Sequence, residues 1–297
     1  MIRRRPSKAA WLSSLVVAML VAPMLAAPTS AAVRKGPRIY YLDVGASVSV
    51  GVQPTPLKPK GQPTNEGYAN RLVTPAAAKG VHLALTQIGC PGESTLTLIN
   101  GRNPCYKSVD TQLSDAVAYL RAHHNRDVLI TIDMGFNNIV KCLANAHVNA
   151  SCVALQMGQL KQQLPVILSR LTKAEGPNVT LAGLNHYNPY LANALNGNRG
   201  TTFARSSTLV MTQLNDVLSK MYHSFKIPVA DVAKDFATTD QTPVATKAHG
   251  VIPTNVARVC ALTWMCAPKP YGPNIHPNDS GYKVIARSIM KVLPVSI

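Results

Sequence analysis

The sequence predicts an α/β fold, a central parallel sheet with helices on both faces, and three observations carry that prediction. Strand-like runs alternate with helix-length stretches along most of the chain, the order that packs as a parallel sheet with right-handed crossovers. The strand-like runs are apolar nearly throughout rather than every second residue, as strands covered on both faces are. About 265 residues remain once an N-terminal leader is set aside, enough for one domain with a substantial core.

The leader comes first. MIRRRPSK is followed by an apolar run over residues 9–27, with Pro23 late in the run and Ala31 and Ala32 beyond it. A basic start, a short apolar region and a small-residue exit form a secretory signal peptide, with cleavage expected after Ala31 or Ala32. The expected division is therefore a signal peptide over 1–32 and a single domain over 33–297. No other stretch approaches the ~20 apolar residues of a membrane span, so the expected fate is secretion, to the medium or the cell envelope. The full chain carries a formal charge of +17; without Arg3, Arg4, Arg5 and Lys8 it keeps 26 basic and 13 acidic residues, a formal +13. Such a surface favours anionic partners. No arginine-rich run, zinc finger or RNA-binding aromatic motif accompanies the charge, which argues against nucleic acid.

Strands are predicted over residues 39–44, 81–87, 127–133, 179–184 and 227–232. Helices are predicted over 65–78, 108–123, 155–171, 203–225 and 280–292; the second of these carries Val109, Leu113, Val117 and Leu120 on one face. Residues 233–274 show little periodicity and many prolines, and are expected to form a long loop over the site.

The chemistry is sought first in residues 38–51, RIYYLDVGASVSVG. A strand that stops at Gly45 and turns through Ser47 into a helix presents a hydroxyl at the carboxyl edge of the sheet, where open α/β sheets bind ligands. Three later blocks share the placement at strand ends or helix starts: IGCPGE at 88–93, IDMGFNN at 132–138 and GPNIHPN at 272–278. Taken singly each block has a plainer meaning. Gly89 can be a turn residue, Asn137-Asn138 a helix cap, and His276 a loop histidine. Of the other histidines, His82, His123, His124, His147 and His223 read as structural, while His186 in NHYNPY is placed to line a cleft without a catalytic role.

In the order serine, glycine, asparagine, histidine, the four blocks resemble the SGNH hydrolases, the GDSL esterase and lipase family, and in particular its secreted actinobacterial-type esterases. YLDVGASVSVGVQP is similar to that family's YLALGDSLSVGVQP pattern, and TWMCAPKPYGPNIHPNDSGY to its histidine block. The resemblance runs from Tyr40 to about Ala286. It implies a three-layer α/β/α sandwich around a central parallel sheet, SGNH hydrolase-like and flavodoxin-like. It also implies Ser47 as nucleophile, His276 as base, and an oxyanion hole from the N–H groups of Ser47 and Gly89 and the amide of Asn137. No cofactor or metal is implied. The pattern departs from the family where carboxylates are usual: Ala46, Asn138, Asn188, and Pro273 with Asn274 stand in their places. A backbone carbonyl at 273 or 274 is then expected to orient His276, with Asp43 a candidate to compensate.

Six cysteines in an exported chain suggest disulfides. Fifteen pairings are open, but spacing favours neighbours, Cys90–Cys105, Cys142–Cys152 and Cys260–Cys266, the arrangement of the resembling esterases. The absence of a C-x-x-C pair argues against zinc. The expected function is a secreted serine esterase or lipase hydrolysing acyl esters of lipid or carbohydrate, acting as a monomer. The alternatives are a degenerate domain binding an anionic or glycan ligand at the cell surface, and, less favoured, an acyltransferase.

Overall fold

Five parallel strands build the central sheet: β1 (Arg38–Gly45), β2 (His82–Gln87), β3 (Val128–Asp133), β4 (Val179–Leu184) and β5 (Val229–Ala230). Their spatial order is β2-β1-β3-β4-β5, every neighbouring pair parallel. The computed structural model describes residues 37–106 and 110–294, and the signal peptide expected over 1–32 lies outside them. The strand order reverses between β1 and β3, and a crevice opens there beyond the strand ends.

Alternate residues of the strands feed two separate cores. Leu42, Val44, Ile130 and Ile132 pack on one side with Leu113, Leu160, Leu164, Leu214 and Leu218. Tyr41, Leu129 and Leu184 pack on the other with Leu72, Tyr282, Ile285 and Ile289. The second layer is made by α1 (Tyr68–Ala78), with α6 and α7 described below; the first is made by α2 (Thr95–Asn100), α3 (Gln112–Ala122), α4 (Ala150–Ala174) and α5 (Gly197–Ser224). This is the expected three-layer α/β/α sandwich.

Caps set boundaries that periodicity missed. The Asn149 side chain accepts from Cys152 N at 3.0 Å, so α4 starts five residues before the expected 155. Thr111 caps α3 in a reciprocal pair with Ser114. Ser94 does the same for α2, a short helix the sequence reading did not include.

Three expectations are corrected. Residues 47–51 form a turn rather than a helix; the next helix begins only at Tyr68, after a hairpin of Gln53–Thr55 with Lys58–Gln62. The last strand shrinks to two residues, because Pro228 precedes it and Asp231 caps the one-turn helix Val232–Asp235 directly after it. Residues 233–274 are not a structureless loop over the site: they hold a hairpin of Pro243–Thr246 with Gly250–Pro253, then α6 (Thr254–Leu262). Val256, Val259 and Leu262 give α6 a short buried stripe at helical spacing. The final helix, α7 (Asp279–Met290), follows the histidine block.

Asp43 lies inside the sheet layer rather than in the cleft. Its Oδ1 accepts from Tyr68 Oη at 2.7 Å and from Thr131 Oγ1 at 3.0 Å, and burial pushes the carboxyl up to about 7. It does not compensate for a missing partner of His276. A raised folded-state pKa means stability that is full below the unfolded value near 4 and lost as pH rises towards 7. Asp43→Asn should therefore flatten the fall in unfolding free energy between about pH 4 and 7 relative to the parent, by up to about 4 kcal/mol, read by urea melts across that range. An unchanged slope would show that Asp43 does not titrate there.

Candidate active site

The turn that carries Ser47 is held from three sides. Gly45 N donates to Gln112 Oε1 at 2.7 Å, while Gly45 O accepts from Gln112 Nε2 at 3.0 Å and from Cys90 N at 3.0 Å. A Cβ on Gly45 would lie 2.8 Å from Asp133 O and 2.9 Å from Asp133 Cβ, so only glycine lets β1 approach the end of β3 this closely. Ser47 itself is half-buried, and its carbonyl accepts from Val52 N at 2.9 Å. Ser49, two residues on, is fully buried and donates to Ala46 O at 2.9 Å, which makes it part of the turn's frame.

Gly89 sits against that frame. A Cβ there would fall 2.0 Å from Ser49 Oγ. Ile88 N and Cys90 N both bond back to β1, at 3.2 and 3.0 Å, which directs the intervening Gly89 N–H to the other side of the segment. Glu93, quoted in the second block but given no role, proves central. Its carboxylate accepts from Thr97 Oγ1, from Asn103 Nδ2 at 2.7 Å and from Gln112 Nε2 at 3.0 Å. Its carbonyl accepts from Asn137 Nδ2 at 3.0 Å. Burial pushes the Glu93 carboxyl up, against those three donors. The bridge Cys90–Cys105 closes the loop that supplies Asn103; the Cys142–Cys152 and Cys260–Cys266 bridges form as expected too.

The histidine block contains the main correction. His276 Nδ1 lies 2.7 Å from Asn274 Oδ1, a side-chain oxygen and not the backbone carbonyl expected. The same oxygen accepts from His276 N at 3.0 Å, and Asn274 Nδ2 donates to Pro59 O at 2.9 Å. A carbonyl oxygen can only accept, so the amide's NH₂ end faces Pro59 and its oxygen faces the imidazole. Nδ1 then carries the proton and Nε2 is left with a free lone pair. Tyr187 Oη steadies the block by donating to Ile275 O at 2.7 Å. Burial depresses the His276 pKa to about 4, so the ring is neutral at neutral pH.

Ser47, Asn137 and His276 line one narrow cleft, together with Glu93, Asp133 and Phe136. Gly89 does not line it and packs against Ser49 in the turn's frame. His186 reaches the cleft wall as expected, its Nε2 2.9 Å from Met134 O and its Nδ1 3.6 Å from Asp133 Oδ1. Burial raises the Asp133 carboxyl; His186 and the N–H groups of Ala46 and Ser49 oppose that rise. Two positions where the resembling esterases are expected to carry carboxylates, Asn138 and Asn188, are structural amides. Asn138 pairs with Thr95 N and Oγ1 at 3.2 and 2.8 Å, and Asn188 with Tyr190 N, Ser207 and Thr208 at 3.0–3.1 Å. His249, Cys260 and Cys266 cluster near one another, but the disulfide consumes both sulfurs and leaves no thiolate for a metal.

No protein-family model matches the sequence, and no curated protein matches it. Solved structures do match. An extracellular lipase from Streptomyces rimosus superposes with a TM-score of 0.52 at 16% identity, over 84% of this chain and 99% of that one. A phospholipase A1 from Streptomyces albidoflavus NA297 gives 0.51 at 17% identity, over 84% and 98%. An acetyl xylan esterase gives 0.51 at 12% identity, over 86% and 100%. The chain shares its fold with these lipases and esterases. The four blocks read from the sequence therefore pointed to the right architecture.

Glu93→Ala tests the frame around Ser47. It would leave the Asn103 amide without its acceptor and remove one of two from Gln112 Nε2 and from Thr97 Oγ1, a loss of roughly 1–3 kcal/mol. Thermal melts should show it, and an unchanged melting temperature would mean that water replaces the carboxylate.

Proposed function

We propose that this protein is a secreted serine hydrolase of carboxylic acyl esters, in which Ser47 is the nucleophile and His276 the general base. The observation that carries the reading is the Asn274–His276 contact. It presents a neutral imidazole with its Nε2 lone pair free, in a cleft shared with a strand-end serine and an asparagine amide. The fold shared with lipases and esterases supports the same class. The bridges, the leader-like start and the extracellular origin of one fold neighbour support export.

In the proposed reaction Ser47 Oγ attacks the ester carbonyl carbon and its proton passes to His276 Nε2. The N–H groups of Ser47 and Gly89 and the amide of Asn137 receive the oxyanion. Collapse expels the alcohol, which takes the proton from Nε2, and water then releases the acid from the acyl-serine by the same steps in reverse order. Asn274 holds the tautomer that the transfer needs. As a neutral amide it stabilises the imidazolium less than a carboxylate would, so modest turnover is expected.

The test is release of p-nitrophenol from short and long acyl esters, with a fluorophosphonate probe labelling Ser47 and no serine in Ser47→Ala. Asn274→Ala should lower kcat roughly 10- to 10³-fold by freeing the ring, and His276→Ala should abolish turnover. If Asn274→Ala keeps full activity, the amide is not the orienting group.

A general base must be neutral, so kcat/KM should fall as pH drops through the base's pKa. With that pKa pushed down to about 4, the acid limb should lie well below the ordinary histidine value near 6.5. An inflection between about 6 and 7 would contradict the buried setting of His276.

A further inference from the structure

The amide that orients His276 is held by a surface hairpin, and that hairpin has a chemistry of its own. Asn274 Nδ2 donates to Pro59 O at 2.9 Å, and Trp264 Nε1 donates to Gln53 Oε1 at 3.2 Å, so the hairpin Gln53–Thr55/Lys58–Gln62 and residues 264–274 form one continuous lip beside the cleft. Leu57 stands at its tip 93% exposed. Lys58 and Lys60 are exposed on the same tip, and Lys269 is exposed on the other half of the lip. Trp264 and Tyr271 stack there with ring centroids 5.5 Å apart, both half-buried.

A lone exposed leucine is ordinary on a protein surface. Here it coincides with a one-signed charge. Neither residues 46–62 nor residues 263–278 contain an aspartate or glutamate. The acids flanking the lip, Glu66 and Asp279, are both paired with Arg71. An apolar tip among lysines, backed by Trp and Tyr, is the combination that partitions into an anionic lipid interface: the leucine enters the acyl boundary, the lysines meet the headgroups and the aromatic rings sit between them. Buried surface of this size gives reversible attachment and not permanent anchoring.

We propose that this lip docks the protein on anionic phospholipid bilayers, with the mouth of the cleft turned towards the membrane. That the docked cleft then meets acyl esters rests on the hydrolase reading; the docking itself does not. The experiment reads binding alone. The Ser47→Ala protein, which cannot degrade the vesicles, is sedimented with phosphatidylcholine vesicles containing about 30% phosphatidylglycerol in about 0.1 M salt, and with phosphatidylcholine alone. Binding should be at least about tenfold stronger to the anionic vesicles. Leu57→Asp, and separately Lys58→Glu with Lys60→Glu, should each weaken it about tenfold or more. These side chains are exposed, so the variants keep the fold, which circular dichroism checks. Absence of vesicle binding, or binding unchanged in both variants, would overturn the proposal. So would loss on lysine reversal alone with full competition by soluble heparin, because that pattern marks capture of any polyanion. Vesicle binding together with a parent protein that releases no p-nitrophenol would support the docking surface and sink the hydrolase reading.

Discussion

Everything at the site depends on the close passage of β1 over the end of β3. Gly45 pairs with Asp133 in the parallel register, and no other residue could take its place without a contact below 3 Å. The Gln112 amide, reaching from the start of α3, grips both the N–H and the carbonyl of Gly45. Without the glycine the strand end would be pushed off β3; without the glutamine the buried Gly45 N–H would lose its partner, at a cost of about 1–3 kcal/mol, while the Gly45 carbonyl would keep only Cys90 N. With both in place, the turn bearing Ser47 is fixed relative to the end of β3, and therefore to Asn137 four residues beyond Asp133. Glu93 links the halves of this frame, since it binds Gln112 through its carboxylate and Asn137 through its carbonyl.

The histidine side is built on a different compromise. A carboxylate at 274 could orient the imidazole and stabilise its charged form, but it would also bring an anionic oxygen to within about 3 Å of the Pro59 carbonyl, with no proton between them. The amide has a donor for that carbonyl and an acceptor for the imidazole, so Asn274 and the hairpin form a matched pair. What the amide gives up is charge. The imidazole has no anionic partner at Nδ1, and burial acts on it almost unopposed, which is the reason its pKa falls to about 4. The block thus holds a neutral imidazole in one tautomer and forgoes a charged partner that would stabilise an imidazolium.

Much of this was legible in the sequence, for identifiable reasons. Apolar runs such as VLITID at β3 fixed the sheet because a strand covered on both faces needs no alternation. The three bridges followed from short spacings along the chain. The order of the four blocks placed Ser47, Asn137 and His276 in one cleft because strand ends share one edge in a parallel sheet. The partners of those residues were not legible. Gln112 lies 67 positions from Gly45 and Pro59 lies 215 from Asn274, and no local pattern announces a contact at such separations. Glu93 stood inside a quoted block, yet its three acceptor contacts exist only once α2 and α3 have packed. Asp43 alternates correctly in β1, but which face it takes depends on the tyrosines of the opposite layer. The structure of 233–274 was hidden because proline density suppressed the helical signal of a nine-residue element.

The interior acids and the surface bases act in different ways on the charge felt at the cleft. Asp43 accepts from Tyr68 and Thr131 on Oδ1, while Thr131 is in hydrogen-bond contact with Tyr41 at 2.9 Å. Thr131 Oγ1 has one proton, which it gives to Asp43, so Tyr41 must donate to Thr131 and the chain of hydroxyls runs one way. Oδ2 has no partner among the described residues, and it is the natural seat for the proton that a carboxyl titrating near 7 keeps over the acidic range. Asp133 lies on the neighbouring strand, and its charge raises Asp43 further. Two like charges so close in a low-dielectric layer cannot both persist cheaply. A protonated Asp43 removes one of them, which weakens the negative field behind Ser47. Lys58, Lys60 and Lys269 are exposed, so their charges are screened by solvent in a way that those of the buried acids are not.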